Sequence, residues 1–358
     1  MRIIFDARFT RIGQHDGISR YGASLMEAVS RHAEVLMLIS DDRQLELLPA
    51  LPHVRINSPL SPAELFVAAR VNRLRGDVVV CPMQTMGSWG RRYPLILTLH
   101  DLIYYQNPEP PGFLPAPVRL LWRLYHLAYW PQRVLLNRAD VVATISETTR
   151  GLIRAHRLTR RPVRIVGNAP QPGTQPRGDA EPERSLLYMG SFMPYKNVET
   201  AVRGMRELPG WTLHLLSRIT DARRAELEAL VPDGGGVVFH DGVTDEEYAD
   251  LLSRATALVS LSRAEGYGLP LIEAMAAGTP VIASDIPIFR EVTAGAAALV
   301  DPDSPAEFAA AVQELSAPEQ WRKASEAGRR RAAEYSWEDS AQQLLAAAAE
   351  AVQAHRNR

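Results

Sequence analysis

Short apolar runs separated by longer amphipathic stretches set the rhythm of this chain. In the first half they fall at residues 3–5, 35–39, 78–80, 95–99, 141–145 and 163–166. They are rich in Val, Ile and Leu and run continuously rather than alternating, as buried strands of a parallel sheet do. Helical patterns lie between them, including residues 21–31 and 63–74. Residues 171–184, QPGTQPRGDAEPER, collect Pro, Gly and charge without periodicity and read as a linker. The alternation then restarts, with strands expected at 186–189, 212–216, 236–240, 257–261, 281–283 and 297–300. Thr244 with Glu247, and Ser304 with Pro305 and Glu307, are helix-start signals ahead of 248–254 and 308–315. The pattern predicts an α/β protein of two domains, 1–170 and 185–336. An alanine-rich helix follows within 337–358. Open sheets of this kind bind ligands beyond the carboxyl ends of their strands, so a cleft between the two domains is expected.

One stretch carries most of the chemistry. Residues 256–285 read TALVSLSRAEGYGLPLIEAMAAGTPVIASD. A short strand leads into a loop holding Glu265, Gly266, Tyr267 and Gly268. After Leu269, Pro270 opens a short helix that carries Glu273, Gly278 ends it, and a second buried strand follows. Free backbone N–H groups and the positive end of the helix dipole gather at such a helix start and favour an anion. A carboxylate has no reason to face a phosphate but can accept hydrogen bonds from sugar hydroxyls through two oxygens. Phosphate at the helix tip, with carboxylates toward hydroxyls on either side, describes a sugar nucleotide.

The run E-x7-E followed by GTPVIAS resembles the retaining glycosyltransferases of family 4. The resemblance extends to MRIIFDAR and HDGISRYGASLMEAV, to THDLIYY, to ADVVATISETTR and to LLYMGSFMPYKNVETAV; residues 40–95 and 105–135 match poorly. It implies a GT-B architecture, two Rossmann-like domains facing a central cleft, with the C-terminal helix crossing back onto the first. It also implies transfer of a hexose with retention, giving an α-linked product by front-face attack. In that scheme Glu265 holds sugar hydroxyls, Glu273 the ribose and Lys196 the diphosphate, Gly17 and Gly266 allow close backbone approach, and Gly190, Ser191, Tyr267, Gly268 and Leu269 complete the donor-binding set. His100, at the end of the strand LILTLH, would contact the transferred sugar. Many relatives carry an arginine where this chain has Ser191, so the second cation is open, with Arg218 the local candidate. GISRY, THDL and GSFMPYKN look most like the branch that uses GDP-mannose. UDP- and ADP-sugar enzymes share the general motifs, and a non-catalytic nucleotide-sugar-binding protein would share the scaffold. The acceptor expected is a saccharide or a lipid-linked glycan.

Other features narrow the field. At 358 residues, with 46% hydrophobic and 23% charged residues, the composition is that of a globular protein, and the net charge of −1 argues against a broad nucleic-acid footprint. Cys81, the single cysteine, lies in VVVCP and reads as an inert thiol; it allows no intrachain disulfide. No apolar run approaches the roughly 20 residues of a membrane span and no signal peptide is read, so a cytoplasmic location is expected. Residues 118–138 mix Arg with Trp, Tyr and Leu at helical spacing. That segment suits either peripheral contact with a membrane or lipid-linked acceptor, or core packing with a polar face. Asp301-Pro302-Asp303 imitates a metal-binding D-x-D, but Ser304-Pro305 at once begins a helix; no metal or other cofactor is expected beyond the nucleotide-sugar co-substrate. A nicotinamide oxidoreductase would need a strand–GxGxxG–helix unit, which is absent from the sequence.

Overall fold

The computed structural model describes residues 1–110, 116–171, 174, 176–178 and 181–357. It divides into two units: Met1–Asn168 with Ser336–Arg358, and Ala169–Tyr335.

The first unit holds β1 (Arg2–Asp6), β2 (Glu34–Ile39), β3 (His53–Arg55), β4 (Val78–Cys81), β5 (Leu95–Leu99), β6 (Val141–Thr144) and β7 (Val163–Ile165). They pair in the order β3-β2-β1-β4-β5-β6-β7, every pair parallel. Leu38, Val79, Leu97 and Val142 are fully buried at the centre, because helices cover both faces of the sheet. The helix Trp337–Arg356 packs against this unit through Ala341, Leu344, Ala347, Ala348 and Ala351. Its alanines permit close approach to the helix Gly17–Ser30, and Ser340 Oγ donates to the Gly167 carbonyl at 3.0 Å.

The second unit holds β8 (Glu183–Tyr188), β9 (Thr212–Leu215), β10 (Gly236–Phe239), β11 (Ala255–Ser260), β12 (Val281–Ser284) and β13 (Ala298–Val300). Their order is β10-β9-β8-β11-β12-β13, again wholly parallel. Each sheet is therefore Rossmann-like, with its strand order reversing at β1/β4 and at β8/β11.

Three details differ from the sequence expectation. β3 is a three-residue edge strand, too short and too exposed to carry a hydrophobic signal. Residues 63–74 form a 3-10 turn, Pro62–Phe66, then the helical turn Val67–Val71 and a second 3-10 turn, Asn72–Leu74. Within the first turn the carboxylate of Glu64 accepts from Arg8 at 2.6 Å and from Gly87 N at 2.9 Å. Part of the expected linker, residues 172, 173, 175, 179 and 180, lies outside the described residues. Within the rest, Arg177 is buried against the second unit, donating to the carbonyls of Ala277 and Ala255 at 2.8 Å, and Glu183 and Arg184 already belong to β8. Among the described residues no helix is long and apolar enough to cross a membrane.

Candidate nucleotide-sugar site

The loops after β8 and β11 leave the carboxyl edge of the second sheet at its switch point, where open parallel sheets bind ligands. Asn197 ties them together. It sits in the left-handed region at φ +53°, which Asn tolerates well, and its buried side-chain amide donates to the carbonyls of Leu261 at 2.9 Å and Pro302 at 2.6 Å. Arg263 N donates to Tyr195 O at 2.8 Å alongside. The short turn Pro194–Lys196 is thereby held against the second loop, and Lys196 Nζ lies 2.6 Å from Glu265 Oε1. Ser262 Oγ donates to the same carboxylate oxygen at 3.0 Å. The two charged side chains are 15% and 14% exposed, enough for a ligand to reach and too little for water to screen them fully.

Gly190 and Ser191 begin the loop after β8. Gly190 N donates to Ser217 Oγ at 3.1 Å, and Tyr188 Oη donates to Ser191 O at 2.6 Å. On the other loop, Gly268 adopts φ +98°, and a Cβ there would meet the Phe289 ring at 2.8 Å. This glycine lets Leu269–Ala277 start at once after Gly266 and the buried Tyr267. The N-cap residue of that helix, Gly268, supplies no side-chain cap and Pro270 has no N–H, and free N–H groups of a helix's first turn are donors that suit an anionic ligand. Glu273 is buried within the helix. Lys196, Glu265 and the glycine loop thus lie at one edge of one sheet, and Glu273 belongs to the helix that follows. Arg218, exposed after β9, leaves from the same edge; its stem lies against Gly242 and it makes no ion pair among the described residues.

Asp303 accepts from Arg263 Nε at 3.0 Å, while Asp301 Oδ1 accepts from Asp303 N at 2.8 Å. Both acids therefore shape their own turn, and among the described residues no group of three or more His, Cys, Asp or Glu could hold a metal.

The first unit carries the remaining candidates. His100 follows β5, and its Nε2–H donates to the Pro82 carbonyl at 2.7 Å, which leaves the Nδ1 lone pair as an acceptor. Tyr21 meets the ring edge-on at 5.1 Å. Burial lowers the imidazole pKa, so the ring is neutral at neutral pH. Next to it, Asp101 Oδ1 accepts from Ile103 N at 3.0 Å and shapes the following turn. Gly17 is the exposed first residue of Gly17–Ser30, and the N-terminus there is capped by Asp16, which accepts from Ser19 N at 2.9 Å. Cys81 is buried and burial pushes its thiol pKa up, as an inert thiol requires.

Two family models match the chain in succession. One described as Glycosyltransferase Family 4 matches residues 16–169, and one described as Glycosyl transferases group 1 matches residues 183–317. The chain is a family 4 glycosyltransferase. Among its relatives, the O-antigen chain mannosyltransferase RfbU of Salmonella typhimurium is 35% identical over 38% of this chain and 39% of its own. O-antigen chain mannosyltransferase B of Escherichia coli is 27% identical over 70% and 68%. An MMP alpha-(1->4)-mannosyltransferase of Mycolicibacterium hassiacum is 35% identical over 50% and 46%. The chain thus spans well under two thirds of the first and third of these. Of solved structures, sucrose-phosphate synthase from Thermosynechococcus elongatus aligns with a TM-score of 0.72 at 22% identity, covering 96% of this chain and 97% of that one. The lipopolysaccharide glycosyltransferase WaaG aligns at 0.69 and 16% identity, covering 96% and 98%. These likenesses establish the GT-B class of fold.

In this family 4 glycosyltransferase, the sequence singles out Lys196 and Glu265 separately, but shows neither their pairing nor what positions it. Asn197 stands in the quoted MPYKN motif, yet only its left-handed backbone and buried amide reveal a brace. Arg223 was likewise invisible: it donates to Phe192 O at 3.1 Å and pairs with Glu199 and Glu226, stiffening the loop after β8.

Proposed function

We propose that this protein moves mannose from GDP-mannose to a saccharide or glycolipid acceptor, forming an α-linked product with retention. The observation that supports this most is the Lys196–Glu265 pair at the β8/β11 switch point, beside an uncapped helix start. That arrangement offers a cation for a diphosphate and a carboxylate for hydroxyls next to it. The mannosyltransferase relatives from O-antigen and other glycan systems favour mannose over other hexoses.

In the proposed reaction the acceptor oxygen bonds to the anomeric carbon on the face from which the diphosphate leaves. The bond from that carbon to the phosphate oxygen breaks, and the departing diphosphate keeps its electron pair and takes the acceptor's proton. Lys196 and the helix start stabilise the growing negative charge; Glu265 orients the sugar, with His100 Nδ1 as a further acceptor for a sugar hydroxyl. Glu273 holds the ribose. Arg218 serves as the second phosphate cation. No metal or cofactor is required, so transfer continues in EDTA.

A thermal-shift panel of GDP, UDP and ADP sugars tests the donor, since selective binding raises the unfolding temperature by mass action. GDP-mannose should stand out, and NMR of the product should show the α anomer. A preference for a UDP sugar, or an inverted product, would overturn the assignment.

A further inference from the structure

Charge in this nearly neutral chain is strongly segregated. Residues 116–164 contain ten arginines, no lysine and two carboxylates, Asp140 and Glu147, a balance of +8 against −1 for the whole protein. Six of the ten, Arg133, Arg154, Arg157, Arg160, Arg161 and Arg164, line one cavity of about 1260 Å³. Arg154, Arg157 and Arg160 are exposed and make no ion pair among the described residues. Arg133 donates only to the carbonyls of His156 and Arg157, which leaves its charge uncompensated there.

Beside this cavity the chain exposes large apolar groups. In the helix Ala116–His126, Trp122, Tyr125 and His126 turn inward and pack on one another and on Tyr104 and Tyr105. The opposite side presents Leu120 and Leu124, 59% and 54% exposed, with Leu127, 75% exposed, just beyond. That stripe follows the i, i+4, i+7 spacing of a helix face, and Arg119 and Arg123 flank it. Trp130 and Val134 continue the exposed apolar series on the helix Trp130–Leu136. Val134 also lines the arginine cavity, so the apolar series adjoins the basic surface at this helix.

We infer that this face of the first unit docks on an anionic lipid bilayer. The exposed leucines and Trp130 enter the headgroup boundary while the arginine cavity takes lipid phosphates. Charge complementarity selects the occupant. A nucleic acid would satisfy the arginines but would leave the leucine stripe in water; a bilayer with acidic headgroups satisfies both. The inference deepens the peripheral contact weighed for residues 118–138 and rests on no assignment of donor or acceptor.

The test is co-sedimentation of the full chain with vesicles of phosphatidylcholine, with and without phosphatidylglycerol. Binding should need phosphatidylglycerol and weaken with salt. The variant Arg154→Gln/Arg157→Asn/Arg160→Gln, with Asn chosen because Arg157 sits at φ +49°, should lose affinity by roughly a hundredfold, at about fivefold per basic residue. Leu120→Ser/Leu124→Ser should lose binding even at low salt. Unfolding temperature and GDP binding should be unchanged in both variants. Failure of GDP to bind would count against the transfer reading and leave the vesicle result intact. Equal binding to neutral vesicles, unaltered binding by either variant, or binding to soluble heparin without binding to acidic vesicles would each overturn the inference.

Discussion

The ion pair at the site makes a prediction with a sign. Lys196 Nζ and Glu265 Oε1 are 2.6 Å apart and largely enclosed. At an effective dielectric near 20 their gross attraction is roughly 6 kcal/mol, and desolvation offsets much of it. A hydrogen bond to a charged group nets about 1.5–3 kcal/mol. If Lys196 serves the diphosphate, an incoming nucleotide competes with Glu265 for it. Glu265→Gln keeps an acceptor for Ser262 and removes only the charge, so free GDP should bind as tightly as before or up to about tenfold tighter, the equivalent of roughly 1.4 kcal/mol. Donor turnover should nonetheless fall, because the sugar loses its carboxylate. Lys196→Met should weaken GDP by about 10- to 100-fold, matching the loss of one charge-assisted bond. Titration calorimetry gives the affinities and initial rates give the turnover. Equal weakening of GDP by both substitutions would refute the division of labour between phosphate and sugar.

Three further expectations follow from neighbouring residues. Glu273→Gln should weaken GDP and GDP-mannose alike, by about tenfold, because ribose is common to both; an effect confined to the sugar donor would remove Glu273 from the ribose. Asn197→Ala orphans the carbonyls of Leu261 and Pro302 and places Ala at φ +53°, so denaturant titration should show the second unit losing about 2–5 kcal/mol, with Asn197→Gly recovering about 1. His100 has a lowered pKa in the folded state, so the unfolded chain binds the extra proton first on acidification. Its contribution is complete above the unfolded value near 6.5 and is lost as pH falls through the folded value; His100→Gln should flatten the decline in stability below about pH 6.5, and an unchanged slope would deny that burial.

Sheet membership was legible because strands buried on both faces must be continuously apolar. VVVC, LILTL and VVAT announce β4, β5 and β6 from composition alone. Helix starts were legible where a side chain supplies the cap. Thr244 and Glu247 form the full reciprocal box; Ser304 accepts from Glu307 N, but the Glu307 carboxylate turns instead to Asp301 N at 2.9 Å. The glycine–proline entry to Leu269–Ala277 was legible for a similar reason: a left-handed residue and a missing N–H are properties of residue type. β3 was not legible, because three half-exposed residues bury too little to need a pattern. The burial of Arg177 within the expected linker was not legible, because it packs on backbone carbonyls and the Trp321 ring, contacts without a sequence signature.

By itself, then, the sequence determined the alternation of strands and helices, the two glutamates at fixed spacing and the helix start between them, since these follow from local periodicity and residue chemistry. It could not determine that Lys196 and Glu265, 69 positions apart, would share one carboxylate–ammonium bond. That pairing exists because β8 and β11 became neighbours at the switch point and Asn197 tied their loops together. The same holds for the arginines lining the first unit's cavity. They occupy two helices, a loop and an edge strand, and only parallel packing of β6 against β7 gathers them on one surface, because a fold joins residues by distance in space, which no local pattern encodes.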